Sequence, residues 1–511
     1  MGGPGSHDTF TTIRKWIDTC VNTHAACKKS ISGDAIPLIT RLPTRVIDVG
    51  PSDGSESPYL LETKGLDGKY IALSHCWGGR ACAMTTTASL DSHRQGIGID
   101  ILSKTHKEAI VATRELGLRY IWIDSLCIVQ DDPEDWFREA HLMGSVFENA
   151  FCTIAATGAK DGSIGLFIDN GRKRIRLLCE PGRPELGHMY FGRRSPNSAE
   201  SVDSAPLQRR GWVLQERILS RRLIHFAEDQ VYWECDEAFR YEDEPPNMLP
   251  FRRSAISRNR AKISNVIQAR RNYNDLQDTW SYILKAYLRC SLTRTSDKLV
   301  AIDGLAKRIQ EATNFRYYNG IWFHNLPTKD AWYGLTWFAG EKCLVRLAQV
   351  RAPSWSWAGM DGEFFWYNNF IRDLKGTSTL IDVVSPTSPE FPMLSTLILR
   401  GGTRSASRAK HRYPAGFIRG CFVDHSYRFY GIMDSKGIEQ GWVSFDDDLN
   451  EPCSFSCVEI ARAKSGQASL FLAIVPSTIP FEPVSFQRVG AGFCSLPSWF
   501  DEAPNETLYL V

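Results

Sequence analysis

Four side chains with distinct chemistry follow one another at the end of an apolar run. Residues 70–74 read YIALS, and His75, Cys76 and Trp77 come next, before two glycines. The run does not alternate between apolar and polar residues, which predicts a strand covered on both faces, as in a parallel sheet. Ligands of such sheets lie beyond the carboxyl ends of the strands. We therefore predict that Ser74 and Trp77 bind a substrate there and that His75 is catalytic.

A second group of polar residues follows the next apolar run. RYIWIDS (119–125) predicts another buried strand, and Asp124, Ser125 and Cys127 stand close together at its end. An acid at such an edge can hold a ligand hydroxyl, or it can cap a nearby loop. We assign Asp124 to catalysis and Ser125 and Cys127 to substrate binding. A thiol nucleophile beside His75 is disfavoured, because neighbouring strand residues point to opposite faces and free Cys is usually buried.

A carboxylate borders the apolar face of the helix that Pro133 opens. The segment EDWFREAHLMGSVFEN places Trp136 and Met143 on one apolar stripe, with Glu139 beside them. Burial raises the pKa of a carboxyl group and disfavours its charge unless the charge is paired. We predict that Glu139 is catalytic and that Trp136 binds substrate. The alternative is an ion pair of Glu139 with Arg138 or with a basic residue across the sheet.

Strands and helices alternate through this part of the chain. The strands are predicted at 70–74, 119–125 and 151–157. Alternation with short links predicts an α/β fold with a doubly wound, mostly parallel sheet and right-handed crossovers. We expect Ser74, Asp124 and Glu139 to meet in one crevice at the carboxyl edge of that sheet.

The pattern changes beyond residue 160. Residues 211–220 predict a short helix, RRLIHF and QVYWEC predict a hairpin, and short β segments dominate from about 345. We divide the chain into an N-terminal helix and extended arm (1–60), an α/β domain (61–240), a mainly helical insert (241–344) and a β-rich C-terminal region (345–511).

The composition argues against several classes of protein. Among 511 residues, 60 basic residues nearly balance 58 acidic ones, which disfavours a general nucleic-acid surface. No apolar run approaches the ~20 residues of a bilayer span, no signal peptide is visible, and 14 scattered Cys indicate reduced thiols. We predict a cytoplasmic protein that binds a small-molecule ligand or substrate, with no nucleic-acid partner and no membrane span. A homo-oligomer or a signalling partner is left open.

Common cofactor motifs are absent from the sequence. It has no P-loop, no dinucleotide fingerprint, no nucleophile elbow and no H-E-x-x-H, and we predict no cofactor. Cys20, His24 and Cys27 share one helical face and could be three ligands of a zinc site, but no fourth ligand is obvious nearby. The alternative is a buried face of thiols with one hydrogen-bonded histidine. We assign no metal and leave open whether these residues bind one.

Three long blocks resemble the fungal heterokaryon-incompatibility (HET) domain. They occur in the same order and at similar spacing, and they read YIALSHCWGG, RYIWIDSLCIVQDDPEDWFREAHLMGSVFENAFCTIAAT and RRGWVLQERILSRRLIHFAEDQVYWEC. Flanking segments resemble stand-alone members of that family, and they read WIDTCVNTHAAC, LPTRVIDVG, SDKLVAIDGLAK and PSWSWAG. The resemblance covers most of the chain and is loosest in the C-terminal region.

The resemblance implies a role in nonself recognition between fungal strains, which can trigger cell death. It also implies a TIR/flavodoxin-like core, because the domain is distantly related to TIR domains. Some TIR domains cleave NAD at the glycosidic bond with a helix-borne Glu near a Trp. By that analogy, Glu139 would be catalytic beside Trp136, and NAD would be a substrate rather than a cofactor. Many relatives have Tyr where this chain has His75.

Two other functions stay open. Stand-alone members also occur in fungal secondary-metabolite clusters, which implies a cofactor-independent cyclase or isomerase. Its apolar pocket would draw on His75, Trp77 and C-terminal aromatic residues, namely Trp355, Trp357, Phe365 and Trp366. For most of these aromatic residues, core packing is the simpler interpretation. The third function is a non-catalytic signalling module, which a hydrogen-bonded Glu139 without an adjoining cavity would favour.

Overall fold

The computed structural model describes most of the chain and divides it into two compact units. The first contains Met1–Ala269, Cys290–Thr293 and Val300–Arg308, and the second contains Arg270–Arg289, Arg294–Leu299 and Ile309–Val511. The four-segment division made from the sequence stays a prediction. The described residues are 3–78, 83–169, 175–178, 188–191, 198–244, 263–265, 273–330, 332–339, 344–347, 350–366, 373–385, 395–413, 429–447, 451–479 and 483–511.

The first unit combines helices with one large sheet. Its helices are α1 (His7–Thr23), α2 (Leu90–Gln95), α3 (Lys104–Glu115), α4 (Asp124–Cys127), α5 (Pro133–Asn149), α6 (Ser198–Asp203) and α7 (Gly211–Leu219). Its strands are β1 (Thr40–Arg41), β2 (Arg45–Asp48), β3 (Tyr59–Glu62), β4 (Asp67–Gly68), β5 (Tyr70–Ser74), β6 (Tyr120–Trp122), β7 (Cys152–Ala155), β8 (Ile175–Leu178), β9 (His188–Phe191), β10 (Arg222–Phe226), β11 (Val231–Cys235) and β12 (Phe239–Tyr241).

The large sheet has eight strands in the order β12-β11-β10-β7-β5-β6-β2-β3. Its centre is parallel. Strand β10 pairs with β7, β7 with β5, and β5 with β6, all in parallel. Both ends are antiparallel, because the hairpins β10–β11–β12 and β2–β3 reverse the chain. The sheet is therefore mixed, and the prediction of a mostly parallel sheet was wrong at its two ends. A doubly wound arrangement stays a prediction.

The three predicted strands of the core are present, and two of them are shorter than predicted, since β7 covers Cys152–Ala155 of the predicted 151–157. Strand β5 covers YIALS as predicted, and all five residues are buried. Strand β6 ends at Trp122, because the chain turns into the short helix α4 at Asp124. The predicted strand through 125 was therefore too long, and Asp124 and Ser125 lie on a helical turn instead.

Two helices of the first unit, α5 and α7, form where the sequence predicts them. Asp132 accepts hydrogen bonds from the N–H groups of Glu134 and Asp135, so that it caps α5, and Pro133 occupies the first turn as predicted. Helix α7, predicted from GWVLQERILS, is buried over nearly all of its length. The two helices pack together, and Trp136 meets Trp212 edge-to-face with ring centroids 6.5 Å apart.

The second unit is rich in β structure, as predicted. Its helices are α8 (Tyr273–Tyr287) and α10 (Trp332–Leu335), while α9 (Val300–Ala312) begins in the first unit and ends in the second. Its strands are β13 (Arg316–Tyr318), β14 (Ile321–Phe323), β15 (Trp337–Ala339), β16 (Val345–Arg346), β17 (Met360–Asp361), β18 (Phe364–Trp366), β19 (Leu374–Gly376), β20 (Thr379–Val384), β21 (Thr396–Tyr413), β22 (Phe429–Met433), β23 (Glu439–Phe445), β24 (Ser454–Ala463), β25 (Ser469–Pro476), β26 (Ser485–Cys494) and β27 (Asn505–Leu510).

The nine-stranded sheet of the second unit closes on itself. Strands β24, β25, β26, β23, β22 and β21 pair in that order, and β21 pairs with β24 again. Its interior is apolar, with Val443, Cys457 and Phe471 fully buried.

In the described part of the chain, no helix has the length and apolar character needed to cross a membrane.

Candidate functional site

The parallel centre of the first sheet brings chemistry to the end of β5. In chain order its four strands have the spatial order 2-1-3-4, since β6 and β7 lie on opposite sides of β5. The two parallel strands that follow β5 in the sequence thus pair with it on opposite sides, and ligands of open α/β sheets bind beyond the carboxyl ends of such strands. Ser74, the last residue of β5, donates a hydrogen bond from Oγ to Oε2 of Glu216 on α7 over 2.5 Å.

Glu216 is a buried carboxyl group with an unusual pKa. Only 4% of the residue is exposed, and burial raises its pKa to about 7. The nearby charge of Asp124 acts in the same direction, whereas the Arg210 guanidinium and the hydrogen bond from Ser74 oppose the shift. A carboxyl group that titrates near neutral pH can give or accept a proton there.

Asp124 faces the same cluster and has more access to solvent. Its Oδ2 accepts a hydrogen bond of 2.9 Å from the indole N–H of Trp77, and its Oδ1 accepts one of 2.7 Å from the Ser125 amide. Burial nevertheless raises its pKa, against the opposing effect of Arg210. About 17% of its side chain is exposed. Asp124 and Trp77 are thus partly exposed members of this otherwise buried cluster.

Two histidines extend the cluster inward. The Nε2 atoms of His75 and His106 lie 3.3 Å apart, and Ser125 Oγ is 3.4 Å from His106 Nε2. The Nδ1 atom of His75 lies 3.7 Å from Asp124 Oδ1. Burial lowers the pKa of both imidazoles to about 3, so that both are neutral at neutral pH. Arg210 also donates a hydrogen bond to the carbonyl oxygen of His75.

Glu139 has other partners. Only 2% of the residue is exposed, and burial raises its pKa while a hydrogen bond with Thr44 and the charge of Arg45 oppose the shift. One carboxylate oxygen lies 3.8 Å from Arg45 and 3.4 Å from Arg138. In the described part of the chain, Glu139 contacts neither Ser74 nor Asp124. The structure therefore confirms the expected burial and the ion pair with Arg138, and the catalytic role of Glu139 stays a prediction.

The remaining predicted residues lie around these two groups. Cys127 is buried, and burial raises the pKa of its thiol, with smaller contributions from the charges of Glu139 and Asp124. Trp136 is half-buried on α5 against Trp212. Gly78, the glycine after Trp77, has a φ of +77°, a left-handed conformation that favours glycine, whereas Gly79 lies outside the described residues.

The aromatic residues suggested for a cyclase pocket belong to the second unit. Trp355 and Trp357 are almost fully buried, and their indole N–H groups donate to the carbonyl oxygens of Ser395 and Gly320. Trp366 is buried beside Phe364. These contacts are those of core packing, the simpler interpretation made from the sequence.

A second cluster lies at the N-terminal helix. Cys20, His24 and Cys27 meet Cys235, and their ligand atoms all lie within 4.8 Å of one another. Cys235, at the end of β11, is the fourth candidate ligand, which the sequence near Cys20, His24 and Cys27 does not contain. This cluster could hold a metal ion.

The sequence did not predict three members of the cluster at the end of β5. Glu216 and Arg210 lie within or beside GWVLQERILS, and His106 lies on α3. No local signal marks Glu216, because it lies between two other polar residues, Gln215 and Arg217, in a helix of ordinary composition.

The first unit is thus a mixed α/β domain with buried acid–base groups where its central strand ends. Residues 70–216 match the model of the family described as Heterokaryon incompatibility protein (HET). The chain therefore carries a domain of the HET family, as its sequence blocks predict, and that domain suggests a heterokaryon-incompatibility-type function. No curated protein and no solved structure matches the chain.

Proposed function

We propose that the protein is a heterokaryon-incompatibility effector that hydrolyses NAD at the nicotinamide glycosidic bond, with Glu216 as the reacting carboxylate. The observation that carries the proposal is the 2.5 Å hydrogen bond between Ser74 and Glu216 at the carboxyl end of β5. The strand order 2-1-3-4 is also that of flavodoxin-like sheets, whose ligand lies at this point. The proposal moves the helix-borne Glu of the TIR analogy from α5 to α7.

The chemistry needs one carboxylate and one water molecule. The C–N bond breaks with its electron pair going to the nicotinamide ring, which leaves as a neutral molecule and needs no acid. Water forms the new bond to the ribose carbon, and its proton passes to the carboxylate of Glu216 and then to solvent. A pKa of about 7 suits both the capture and the release of this proton.

The neighbouring groups have roles that fit an oxocarbenium-like ribose. Ser74 fixes the Glu216 carboxylate by its hydrogen bond. Asp124, with part of its side chain in solvent, would accept hydrogen bonds from ribose hydroxyl groups. Trp77, which is half-buried and hydrogen-bonded to Asp124, offers an aromatic face beside that position.

The test is release of nicotinamide from NAD by the purified full chain, measured by chromatography in dilute and in concentrated protein solution. We expect Glu216→Gln to lower the rate by at least about 100-fold, the usual range for a lost acid–base group. Glu139→Gln makes the same chemical change on α5 and compares the two carboxylates directly: we expect it to keep most of the rate, which would rule out the catalytic role predicted for Glu139 from the sequence. No release by the wild-type protein at either concentration would overturn the proposal, as would an active Glu216→Gln variant.

One observation favours a non-catalytic signalling module as the second candidate. Glu139 is satisfied by Thr44, Arg45 and Arg138, as expected of a structural carboxylate. Under this function, Glu216→Gln would leave partner binding and cell death intact. Expression of wild-type and Glu216→Gln protein in a fungal host, scored for cell death beside cellular NAD content, separates the two functions.

A further inference from the structure

We propose that Cys20, His24, Cys27 and Cys235 bind one zinc ion that fastens the N-terminal helix to the sheet. His24 Nδ1 lies 3.4 Å from the sulfur of Cys235 and 3.9 Å from that of Cys27. Tetrahedral zinc with Zn–S near 2.3 Å and Zn–N near 2.0 Å would hold such N and S atoms about 3.5 Å apart. The four ligand atoms are therefore already close to the spacing that zinc requires.

The local chain explains how three ligands come from one short segment. Cys20 lies in the last turns of α1, and the N–H of His24 bonds back to the Cys20 carbonyl oxygen as the helix ends. A single 3₁₀ turn, Ala26–Lys28, then presents Cys27. The segment turns back on itself, so that side chains seven positions apart face one point.

The fourth ligand comes from β11, which lies next to the edge strand β12 of the eight-stranded sheet. Cys235 is the last residue of β11, and its sulfur accepts a hydrogen bond of 3.3 Å from the Ala238 amide. The Cys235 amide in turn donates to the Ala238 carbonyl oxygen over 2.9 Å, which makes a tight turn around the thiol. The Ala26 amide donates to the Glu237 carboxylate over 2.7 Å, so that the two segments are also joined beside the cluster. An N–H group aimed at a cysteine sulfur stabilises a thiolate.

A buried arginine gives independent support for negative charge at this point. Arg222 is 1% exposed, and its Nε lies 3.3 Å from the sulfur of Cys20. Its other hydrogen bonds within the described residues go to the carbonyl oxygens of Phe151 and Cys27, and none goes to a carboxylate. Buried charges are paired as a rule. Three thiolates, one neutral imidazole and Zn²⁺ carry a net charge of −1, which Arg222 would balance.

The ligand set identifies the metal and its role. Three Cys and one His form a common structural zinc site, and such sites are closed because protein atoms fill all four positions. Three of the four residues are buried and His24 is partly so, which leaves no open position for catalysis. The ion would join α1 to β11 across more than two hundred residues of sequence, and it would act apart from the cluster at Ser74 and Glu216.

The first experiment measures zinc by elemental mass spectrometry in the full chain purified under reducing conditions. We expect about one zinc per chain in the wild type, and loss of that zinc in Cys20→Ser and Cys235→Ser. Cys290→Ser is the matched control, because Cys290 is a partly exposed thiol of the same unit outside the cluster, and it should keep the metal. A wild-type chain without zinc that also fails to take up added zinc would overturn the proposal, as would full zinc content in Cys235→Ser.

A second measurement covers the case in which a serine variant fails to fold. Replacement of zinc by Co²⁺ in the wild type should give the visible spectrum of a tetrahedral ion together with thiolate-to-cobalt absorption in the near ultraviolet. His24→Cys keeps four soft ligands and should retain the metal, with a shift of the cobalt bands. An octahedral cobalt spectrum, or a disulfide among these cysteines in the reduced wild-type protein, would overturn the assignment.

Discussion

Ser74 and Glu216 lie 142 positions apart in the sequence and share a hydrogen bond of 2.5 Å. The bond joins the end of β5 to the middle of α7. It holds a carboxyl group whose pKa is raised to about 7 by burial at the place where the parallel strands end. The same pair therefore connects the stability of the domain with its proposed chemistry.

The pKa of Glu216 predicts how its replacement changes stability with pH. The folded-state pKa is raised from an ordinary value of 4.5 to about 7, so the folded state holds an extra proton between these values and wild-type stability falls as pH rises through them. Glu216→Gln removes this titration. From pH 5 to pH 8 the variant should gain about 2 to 3 kcal/mol in free energy of unfolding relative to wild type.

Urea unfolding at a series of pH values measures this difference. Glu115→Gln changes a partly exposed carboxylate and should follow the wild type at every pH. A Glu216→Gln variant whose stability difference from wild type is the same at pH 5 and pH 8 would contradict the raised pKa.

The two buried histidines predict a loss of stability in acid. Burial lowers the pKa of His75 and His106 from 6.5 to about 3, so the unfolded chain binds protons that the folded chain does not, and stability falls as pH drops below 6.5. Between pH 7 and pH 5 each imidazole should cost about 2 kcal/mol. His106→Gln should reduce this loss of stability, while His7→Gln, at the exposed start of α1, should not. Urea unfolding at pH 7 and pH 5 measures the loss for the wild type and both variants. Identical losses in all three proteins would refute the prediction.

Arg45 and Arg138 offer a comparison of two cations that meet the same carboxylates. Arg45 is 6% exposed and contacts Asp135 and Glu139, whereas the side chain of Arg138 is 54% exposed and contacts the same two residues. Removal of a buried partner leaves an uncompensated buried charge, so Arg45→Met should destabilise the protein by about 3 to 5 kcal/mol. Arg138→Met should cost about 1 kcal/mol or less. Chemical denaturation measures the free energy of unfolding of both variants. Equal losses would show that burial does not decide how much each arginine contributes to stability.

Gly78, four residues after β5, and Gly117, just after α3, form a matched pair of glycines that tests the backbone at Gly78. Both have positive φ, +77° and +73°. An added Cβ at Gly78 would lie 2.4 Å from the Cβ of Asp161, whereas one at Gly117 would meet nothing within 4 Å. Gly117→Ala should cost about 1 to 2 kcal/mol from the left-handed backbone alone. Gly78→Ala should cost clearly more and shift the thermal midpoint further, and a smaller shift than that of Gly117→Ala would contradict the close approach.

Local patterns in the sequence were enough for the central elements. The unbroken apolar run at 70–74 is β5, and Pro133 after an acidic cap opens α5, because both signals act within a few residues. The turn into α4 was not visible, since RYIWIDS has the composition of a longer strand. The antiparallel ends of the sheet likewise follow from pairing between distant segments, which no local periodicity records.

The candidate sites were predicted only in part, for a related reason. Glu139 attracted attention through its place beside an apolar stripe, but Arg45, far away in sequence, supplies its partner. Glu216 lies in an ordinary-looking helix, and only the fold carries it to Ser74. Cys235 lies more than two hundred positions from Cys27, so a search for a nearby fourth ligand could not reach it.

The bounds of the family match have a practical consequence for the sheet described above. A truncated polypeptide cut at 70–216 would keep β5, β6 and β7 but remove β10, β11 and β12 on one side and β2 and β3 on the other. Both outer strands of its remaining three-stranded sheet would then be unpaired, apolar edge strands, which promote pairing between molecules. Such a fragment is expected in inclusion bodies, and recombinant work on this domain should start from boundaries drawn around the whole eight-stranded sheet.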